Sequence, residues 1–541
     1  MQYIIELNKQ KSIEYQVLRT LNSSLVRSFT SSLSSPQKTQ KARFREIIRI
    51  LTPTLFSKEH QFDQHTSMEN FRKKVPIRSY HELLPWLAPY HEQKSNAITT
   101  ARVMSFVETS GTTAKPKWIP VTSGWEKRIK QAQTLWMLSM IHDHPMVATG
   151  KALTMISPAE HARTKNGLVV GSNTGRMQKK QSWLVRDRYP IPLEVFSLQP
   201  SELKQYVYLR FALQEHITSW TTANPSMLLL LCRRLQEWKK ELSLDLRAGT
   251  LRHGPAKDLS KKQRSLLESS LIATAPPFDW RPAKIWPLAS INCWKGGPAS
   301  FFIPRLREAI GGDVPIREVG ITASEGFFAI PMGENWDGGV LWTQGHILEF
   351  IDDKGVAFWS WELEVGSRYR LVITTETGLV RYDMNDVVEV VGFCSQTPVI
   401  RFVGKEGRYL NAVGEKVSEE QLVRAVHKAA LDSSSHLVGF TGHIVWGDVP
   451  YIELAVEGDI TPDFESVVEC SLRSVNIEYE SKRESNRLQS LRIYPLSKGT
   501  YDRFRKDKVK AGAPAGQIKD PLVAMNDEEW MAIIRATQGS C

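Results

Sequence analysis

A polar segment in the first quarter of the chain contains the residue types that bind nucleotide phosphates. Residues 105–122 read SFVETSGTTAKPKWIPVT. The groups that would bind an anion are hydroxyl donors, a glycine and positive charges, namely Ser110, Gly111, Thr112, Thr113, Lys115 and Lys117. A glycine lets main-chain N–H groups approach an anion closely, and the lysines supply opposite charge. The segment predicts a phosphate-binding loop, although a solvated polar hairpin uses the same residue types.

The spacing of this segment differs from that of a Walker loop. A Walker loop places Gly-Lys before Ser or Thr and continues into a helix, whereas Gly111 has no such partner, and Pro116 and Pro120 disfavour an immediate helix. Apolar residues flank the loop at 106–107 and 118–121. We therefore predict a β-hairpin with the loop at its turn.

Carboxylates follow at two later places in the chain. Residues 322–326 read TASEG, which places Glu325 behind small residues. Residues 382–387 read YDMNDV, which places Asp383 and Asp386 before a strand-like run at 387–391. A single acid at the end of a strand is also compatible with a plain surface charge. Basic residues lie near the C-terminus in KGTY (498–501) and GQIKDP (516–521).

The elements that must position these groups alternate between strands and helices from about residue 101 to 400. The strand-like segments are 152–156, 285–290, 314–319, 370–374 and 387–391, and a helix-like segment is 225–242. Such alternation predicts a large α/β domain with several sheets covered by helices, and places its motifs on loops at strand ends. Residues 1–100 read as a helical lead-in, and we expect the whole N-terminal domain to span residues 1–402.

The pattern changes near residues 402–408 to a compact α+β segment. Ser418 is predicted to cap a helix, with strands at 437–441 and 451–456 and a further helix at 463–472. We therefore expect a small C-terminal domain over residues 403–541.

Taken together, these motifs resemble the adenylate-forming superfamily, and within it the auxin-responsive Gretchen Hagen family of acyl acid amido synthetases, as a bacterial-type member. The segment TSGTTAKPK (109–117) is similar to the superfamily's TSGTTGKPK. Narrower similarities to the amido synthetases are FRKKVP (71–76), HELLPW (81–86), NPSMLLLLCRRL (224–235) and YDMND (382–386). The resemblance covers most of the chain and implies an adenylation domain followed by a small mobile domain.

The resemblance implies a role for each matching residue, with ATP and Mg²⁺ as cofactors. Ser110, Gly111, Thr112 and Thr113, supported by Lys117, would bind the β- and γ-phosphates. Glu325 would be the catalytic ligand of Mg²⁺, with Thr322 and Ser324 beside the nucleotide and Ile321 at the position of the adenine. Asp386 would accept hydrogen bonds from the ribose hydroxyls. Lys519 would be a catalytic group that approaches the adenylate when the small domain closes, although an exposed surface lysine is an equal alternative.

Four residues depart from the family's pattern. Ile321 stands where many relatives carry an aromatic residue, and Asn385 stands where plant members have glycine. Asp520 and Leu522 replace the usual Thr and Arg of the last motif. The last two changes bear on the role of Lys519.

The function implied by the resemblance is an ATP-dependent acyl acid amido synthetase. The carboxylate of a small-molecule acid would attack the α-phosphate of ATP, and an amine, commonly an amino acid in this family, would attack the resulting acyl adenylate. Alternatives are an acyl-CoA ligase and a nucleotide- or nucleic-acid-binding protein without ligase activity. The residues identify neither the acid nor the amine, since Trp136, Met137, Met140 and Met227 at helical spacing are typical of a core as well as of an acyl pocket.

Composition and charge agree with a globular enzyme. The 541 residues are too many for one core, and 41% are hydrophobic. The net charge of +12 includes basic runs at 38–49 and 503–510, but neither has an interleaved aromatic platform or a known nucleic-acid motif, so a solvated basic face is favoured over a nucleic-acid surface.

The remaining sequence features favour a cytoplasmic protein without a membrane partner, and they leave the oligomeric state open. The chain has neither an apolar run of spanning length nor a secretory pattern at its start, and its five cysteines are scattered. The pair His142 and His144 is interpreted as a solvated helix end rather than a metal site.

Overall fold

The computed structural model describes residues 2–3, 13–92, 96–109, 117–180, 186–336, 338–513 and 518–538. Its contacts divide the chain into two units. The first comprises Met1–Gly296 with Phe302–Phe402, and the second comprises Gly297–Phe301 with Val403–Cys541.

The described helices of the first unit begin with a run of six before residue 100. The described α-helices of this unit are Ile13–Leu21, Ser23–Leu33, Pro36–Leu51, Leu55–Glu59, Met68–Lys74, Tyr80–Leu87, Ser123–Asp143, Asn173–Lys179, Ser201–Ala212, Pro225–Glu237, Lys239–Ala248, Lys261–Glu268, Pro282–Ile285 and Ile303–Ile310. In Pro36–Leu51, proline at the first position starts the helix, and Phe44, Ile47 and Leu51 are buried at intervals of three and four.

The strands of this part of the chain are β1 Gln2–Tyr3, β2 Ser105–Thr109, β3 Lys117–Val121, β4 Lys151–Thr154, β5 Ala162–Arg163, β6 Val169–Gly171, β7 Ile217–Thr221, β8 Ser290–Cys293, β9 Ile316–Glu318, β10 Ile321–Thr322, β11 Phe327–Ile330, β12 Gly339–Leu341, β13 Ile347–Ile351, β14 Ala357–Trp359, β15 Arg368–Thr374, β16 Tyr382–Cys394 and β17 Thr397–Lys405. Within the described residues they form a nine-stranded sheet and two four-stranded sheets. The several sheets and the helices that accompany them confirm the predicted α/β class.

The hairpin predicted around the polar loop is present. Strands β2 and β3 pair in antiparallel register from Ser105 opposite Val121 to Thr109 opposite Lys117. They form the four-stranded sheet β3-β2-β6-β5, in which β2 and β6 run parallel. Phe106 and Ile119 face the same buried apolar cluster, which fixes the hairpin to the rest of the unit.

The second four-stranded sheet, β4-β7-β8-β9, is parallel throughout. The predicted strand at 285–290 is wrong, because Pro282–Ile285 is helical and β8 begins only at Ser290. Pro287 has no N–H to donate to a ladder, which disfavours a strand across it. The predicted helix 225–242 is two helices, since Trp238 ends the first and its main-chain carbonyl accepts a hydrogen bond from the second.

The nine-stranded sheet has the order β10-β11-β12-β17-β16-β15-β13-β14, with β1 parallel to β16. Strand β16 begins at Tyr382, five residues before the predicted start, so the YDMND motif lies in the strand and not on a loop ahead of it. The ladder tolerates this because its register with β15 shifts between Arg370 and Val372. Arg381 and Asn385 both have positive φ, of 44° and 56°.

The second unit is an α+β assembly. Its described elements are β18 Tyr409–Leu410, β19 Val417–Ser418, β20 His436–Val445, β21 Tyr451–Asp459, β22 Arg492–Pro495 and the helices Glu419–Asp432, Phe464–Val475, Ile477–Glu484, Thr500–Lys510 and Asp527–Gln538. Strands β20, β21 and β22 form one sheet. The side chain of Ser418 accepts a hydrogen bond from Gln421 N, as predicted for the cap of the first helix.

A membrane-spanning helix is not found among the described residues, where every helix is too short or too polar to cross a bilayer.

Candidate active site

The residues predicted for the phosphate loop, Ser110, Gly111, Thr112 and Thr113, lie outside the described residues. The structure does describe the two ends of that loop. Thr109 ends β2 and lies opposite Lys117, which begins β3. Lys117 is thus the first described residue after the predicted loop.

A tyrosine hydroxyl lies between Lys117 and Glu325. Nζ of Lys117 is 3.3 Å from the hydroxyl oxygen of Tyr382, and the Tyr382 hydroxyl donates to Oε1 of Glu325 at 3.4 Å. The ammonium group of Lys117 also lies 5.7 Å from the ring centre of Tyr80 and 5.8 Å from that of Tyr382. Lys117 and Glu325, which the sequence predicted for phosphate and metal binding, are thus connected by Tyr382. The sequence analysis had assigned no role to Tyr382.

Tyr382 is neutral at ordinary pH. Burial raises its pKa, and the negative charges of Glu325 and Asp386 raise it further. The structure therefore joins Lys117 and Glu325 through Tyr382, while Asp386, 8% exposed, stands four residues further along the same strand.

Glu325 stands on a tight turn between β10 and β11. Ala323 N donates to the Gly326 carbonyl at 2.9 Å, and Gly326 N donates to the Ala323 carbonyl at 3.3 Å. The hydroxyl of Thr322 donates to the same Gly326 carbonyl at 3.4 Å. These bonds place Ser324 and Glu325 at the tip of the turn, and Glu325 is 9% exposed.

The turn rests on a buried histidine. A Cβ added at Gly326 would lie 2.3 Å from Nε2 of His346, so only glycine allows this approach. Burial lowers the pKa of His346 to about 3, and the positive charges of Arg43 and Arg128 act in the same direction. The ring under the turn is therefore neutral.

The main chain of Glu325 is also bound from the other side. Trp125, in the first turn of the helix Ser123–Asp143, donates its indole N–H to the Glu325 carbonyl at 2.9 Å. Thr122 caps this helix by accepting a hydrogen bond from Trp125 N at 3.2 Å. The hydroxyl of Thr122 donates to Glu376 at 2.7 Å, and Glu376 pairs with Arg43 at 3.0 Å.

The start of β16 is anchored by a buried ion pair. Nε and Nη2 of Arg381 donate to the two carboxylate oxygens of Glu349 at 2.9 and 2.8 Å. The main-chain N–H of Arg381 donates to the Thr374 hydroxyl at 2.9 Å. Asp383, on the same strand, pairs with Arg370 at 3.2 Å. Asp386 is thus held on a strand whose first residues have fixed partners.

Ile321 follows a carboxylate that joins two loops. Glu318 accepts hydrogen bonds from the main-chain N–H groups of Lys295 at 2.7 Å, Gly296 at 3.3 Å and Gly320 at 3.1 Å. Burial raises the pKa of Glu318, and these N–H donors oppose the rise. The side chain of Ile321 is partly buried against the apolar cluster around the large sheet, so it offers an apolar rather than an aromatic surface.

Lys519 belongs to the second unit, where its side chain is exposed. Its neighbour Asp520 pairs with Arg505, whose Nε donates to Oδ1 at 2.9 Å. Two main-chain bonds tie the following residues to β20, from Gly442 N to the Leu522 carbonyl at 2.9 Å and from Ala524 N to the Gly442 carbonyl at 2.8 Å. The departure at Asp520 therefore has a structural role, and the catalytic role of Lys519 stays a prediction.

The interpretation of His142 and His144 as a solvated helix end is wrong for His142. His142 is 3% exposed, and its ring packs against Tyr15 at 5.3 Å between centres. Its neighbour Asp143 accepts from His142 and pairs with the buried Arg317. The sequence around a helix end does not show which residues from elsewhere in the chain cover it.

The residues around Glu325 fit Mg²⁺ as it is usually bound beside nucleotides. Mg²⁺ takes one or two carboxylates together with phosphate oxygens and water, and not a cage made of protein alone. Glu325 supplies one carboxylate on a fixed turn. The Tyr382 hydroxyl connects this carboxylate to Lys117, the first residue of β3. A group of three or more metal-ligating side chains is not found within the described ranges.

Two solved structures place this fold in a class. The structure of GH3.15 acyl acid amido synthetase matches with a TM-score of 0.82 at 20% identity, over 98% of this chain and 97% of that chain. The structure of 2-hydroxyisobutyryl-CoA ligase in complex with 2-HIB-AMP matches with a TM-score of 0.52 at 13% identity, over 93% of this chain and 91% of that chain. The fold is that of the adenylate-forming ligases.

The chain belongs to the GH3 family. The GH3 family N-terminal domain matches residues 25–316, the central domain matches residues 339–405, and the C-terminal domain matches residues 420–528. The family predicted from the motifs is therefore confirmed.

Curated relatives of the chain are amido synthetases of plants. Indole-3-acetic acid-amido synthetase GH3.3 of Arabidopsis thaliana is 25% identical over 526 residues, which cover 89% of this chain and 88% of that protein. Jasmonoyl-L-amino acid synthetase JAR6 of Nicotiana attenuata is 23% identical over 547 residues, which cover 92% of each. The predicted class of enzyme, a ligase that activates an acyl acid and forms an amide, is confirmed with the family.

Sequence reasoning missed two residues of the site. Tyr382 was visible as part of YDMND, but its place between Lys117 and Glu325 depends on the approach of two different sheets. Trp125 belongs to none of the sequence motifs. Its position three residues after Thr122, a good helix cap, was the available signal for a helix start close to the phosphate hairpin.

Proposed function

We propose that this protein uses ATP and Mg²⁺ to activate a small acyl acid as its adenylate and transfers the acyl group to an amino acid. The observation that carries the assignment of the site is the Tyr382 hydroxyl, which contacts both Lys117 and Glu325 and lies in the field of Asp386. Lys117, Glu325 and Asp386 would bind the phosphates, the Mg²⁺ ion and the ribose of ATP, respectively.

The reaction needs activation of the acid because a carboxylate is a poor electrophile. Attack of the carboxylate on the α-phosphate of ATP releases pyrophosphate and leaves AMP on the acyl carbon. The amine then attacks that carbon, loses a proton and displaces AMP. Both steps move negative charge, which fixed cations and hydrogen-bond donors stabilise in a site shielded from water.

Each of the described residues has a separate role in binding ATP for these two steps. Lys117 places a positive charge at the end of the phosphate loop, where pyrophosphate leaves. Asp386 offers two acceptor oxygens to the two ribose hydroxyls. The neutral hydroxyl of Tyr382 donates to Glu325 and accepts from Lys117, so it orients both charged groups.

Glu325 would hold Mg²⁺, which when bound neutralises charge on the phosphate oxygens. The protein's own contribution is to keep this carboxylate in place. The tight turn with Gly326, the hydroxyl of Tyr382 and the indole of Trp125 all act on Glu325 or its immediate neighbour.

Lys519 is proposed to approach the adenylate from the second unit. Its positive charge would stabilise the negative charge that develops on the α-phosphate. A Lys519→Ala variant is expected to slow adenylate formation while it leaves ATP binding unchanged, and equal rates for variant and wild type would remove Lys519 from the site.

The test of the proposed function is pyrophosphate exchange into ATP, measured across a panel of carboxylic acids with Mg²⁺ present. Exchange that depends on one class of acid supports adenylation and identifies the acid without knowledge of the amine. The active acid is then incubated with ATP and either a mixture of amino acids or coenzyme A, and the products are separated by mass spectrometry. An amide supports the proposal, whereas a thioester without an amide, or no acid-dependent exchange at all, would overturn it.

The site assignment is tested in the same assay with matched carboxamide variants. Glu325→Gln and Asp386→Asn remove the proposed ligands, while Glu334→Gln removes a half-exposed carboxylate that pairs with His144 at 3.4 Å. We expect exchange to fall in the first two and to persist in the third.

A further inference from the structure

Trp125 links the phosphate hairpin to the turn that carries Glu325. The helix that begins at Ser123 follows directly on β3, which starts at Lys117. Trp125 is completely buried, and its indole N–H donates to the Glu325 carbonyl at 2.9 Å. The bond joins positions that are 200 residues apart in the sequence.

The other end of this connection is fixed by buried polar groups. Thr122 caps the helix and donates to Glu376 at 2.7 Å, and the second oxygen of Glu376 pairs with Arg43 at 3.0 Å. Thr122, Glu376 and Arg43 are 1%, 4% and 5% exposed. A Cβ on Gly124 would come within 2.0 Å of Glu376, so the first turn of the helix lies directly on this carboxylate. The helix start has little freedom to move.

We propose that Trp125 is a positioning residue for Glu325. Its indole N–H fixes the main chain at the tip of the turn, while Tyr382 binds the carboxylate itself. The helix start thereby keeps a constant spacing between the strand that ends the phosphate loop and the carboxylate that would bind Mg²⁺. The inference rests on the proposed role of Glu325 as the ligand of Mg²⁺.

Loss of the indole N–H is expected to weaken Mg²⁺ binding more than nucleotide binding. A hydrogen bond of this kind contributes about 1 kcal/mol, and a freed turn also samples positions in which the carboxylate is misplaced. Because about 1.4 kcal/mol corresponds to a factor of ten, we expect the Mg²⁺ requirement to rise about five- to tenfold.

The experiment compares Trp125→Phe with Trp286→Phe. Both variants remove one indole N–H and keep an aromatic ring. Trp286 donates to the Ala212 carbonyl at 3.1 Å inside the core of the first unit, so it is a matched buried indole without contact to the turn. Calorimetry measures Mg²⁺ binding to the full-length protein saturated with a non-hydrolysable ATP analogue, and pyrophosphate exchange measures the Mg²⁺ concentration at half-maximal rate.

The expected result is a weaker Mg²⁺ affinity and a raised Mg²⁺ requirement in Trp125→Phe, with both unchanged in Trp286→Phe. A purely structural role would lower the melting temperature of Trp125→Phe without changing either Mg²⁺ value, and that result would overturn the inference. If Trp125→Phe does not fold, Glu376→Gln weakens the anchor of Thr122 while Trp125 stays in place, and a smaller change in the same direction is expected. An unchanged Mg²⁺ affinity in Glu376→Gln would then overturn the inference that Trp125 positions Glu325.

Glu325→Gln separates failure of the inference from failure of the proposed function. If Glu325→Gln raises the Mg²⁺ requirement and Trp125→Phe does not, only the role of Trp125 is wrong. If Glu325→Gln leaves Mg²⁺ binding unchanged, the metal assignment of Glu325 is wrong, and the inference falls with it.

Discussion

Substitution of Gly326 by alanine tests whether the position of the Glu325 turn controls activity. A Cβ at this position would lie 2.3 Å from Nε2 and 2.9 Å from Cδ2 of His346, whereas ordinary contact begins at 3.4 Å. The turn and the ring must therefore separate by about 1.1 Å, the difference between 3.4 and 2.3 Å. His346 is 1% exposed, and its main-chain carbonyl accepts a hydrogen bond from Gln40 at 2.8 Å, so most of the movement falls on the turn.

A displacement of this size has a predictable effect on rate. A misplacement of about 1 Å in a reacting constellation costs on the order of 100-fold. We expect Gly326→Ala to lower the rate of acid-dependent pyrophosphate exchange by roughly that factor at saturating ATP. Overpacking of a dense region also costs about 1–3 kcal/mol in the free energy of unfolding, measurable by urea denaturation.

Two controls separate the contact with His346 from other effects of the substitution. Gly447→Ala adds the same methyl group in the second unit, where the nearest atom to the new Cβ lies at 3.9 Å, and it should leave exchange and stability unchanged. The double variant Gly326→Ala/His346→Ala removes the ring that the new methyl group meets. It should regain most of the exchange rate that Gly326→Ala loses, with a favourable coupling energy in the double-mutant cycle. A wild-type rate in Gly326→Ala, or no recovery in the double variant, would refute the reasoning.

Three further predictions follow from the site and its supports. Glu325→Ala and Asp386→Ala should each lower the rate of adenylate formation at least about tenfold, or ~1.4 kcal/mol in transition-state stabilisation, and wild-type exchange rates in both would contradict their assignment. Arg381→Met should lower the free energy of unfolding by about 1.5–3 kcal/mol, because Glu349, 1% exposed, loses its bidentate partner and keeps Arg72, whose Nε lies 3.0 Å from Oε2. Arg368→Met, at a half-exposed pair, should change the free energy of unfolding by less than about 1 kcal/mol in the same urea titration. Burial raises the pKa of Tyr80 from 10.0 to about 12, so the stability that this group contributes is complete below pH 10 and is lost as the pH rises towards 12. Between these pH values, the free energy of unfolding of Tyr80→Phe should fall by about 3 kcal/mol less than that of the wild type, and parallel curves would show that Tyr80 does not titrate in this way.

Local sequence patterns predicted the parts of the site that depend on neighbours in the chain. Apolar residues on both sides of the predicted phosphate loop were enough to predict the hairpin β2–β3, since both strands lie within a few residues of this polar segment. The cap at Ser418 is equally local, because the hydroxyl and the N–H it binds are three residues apart. The motifs also singled out Lys117 and Glu325, which the structure joins through Tyr382.

The parts that could not be predicted depend on contacts between distant segments. Tyr382 bridges Lys117 and Glu325 only because strands far apart in the sequence meet, and Trp125 reaches Glu325 across 200 residues. The early start of β16 at Tyr382 has the same origin, since a shift in register and the anchored Arg381 make room for charged residues in the strand. His142 was misjudged because the covering residues, Tyr15 and Arg317, come from other elements.

The hydrogen bonds around Asp520 determine what a label at the neighbouring position 519 would report about the second unit. Asp520 pairs with Arg505, and Leu522 and Ala524 are bonded to Gly442 in the middle of β20. A label placed at position 519 is therefore attached next to a segment that moves with this sheet. A fluorescence or spin label on Lys519→Cys would report on the surroundings of this sheet of the second unit, and a change of its signal with ATP would test the predicted approach of position 519 to the nucleotide.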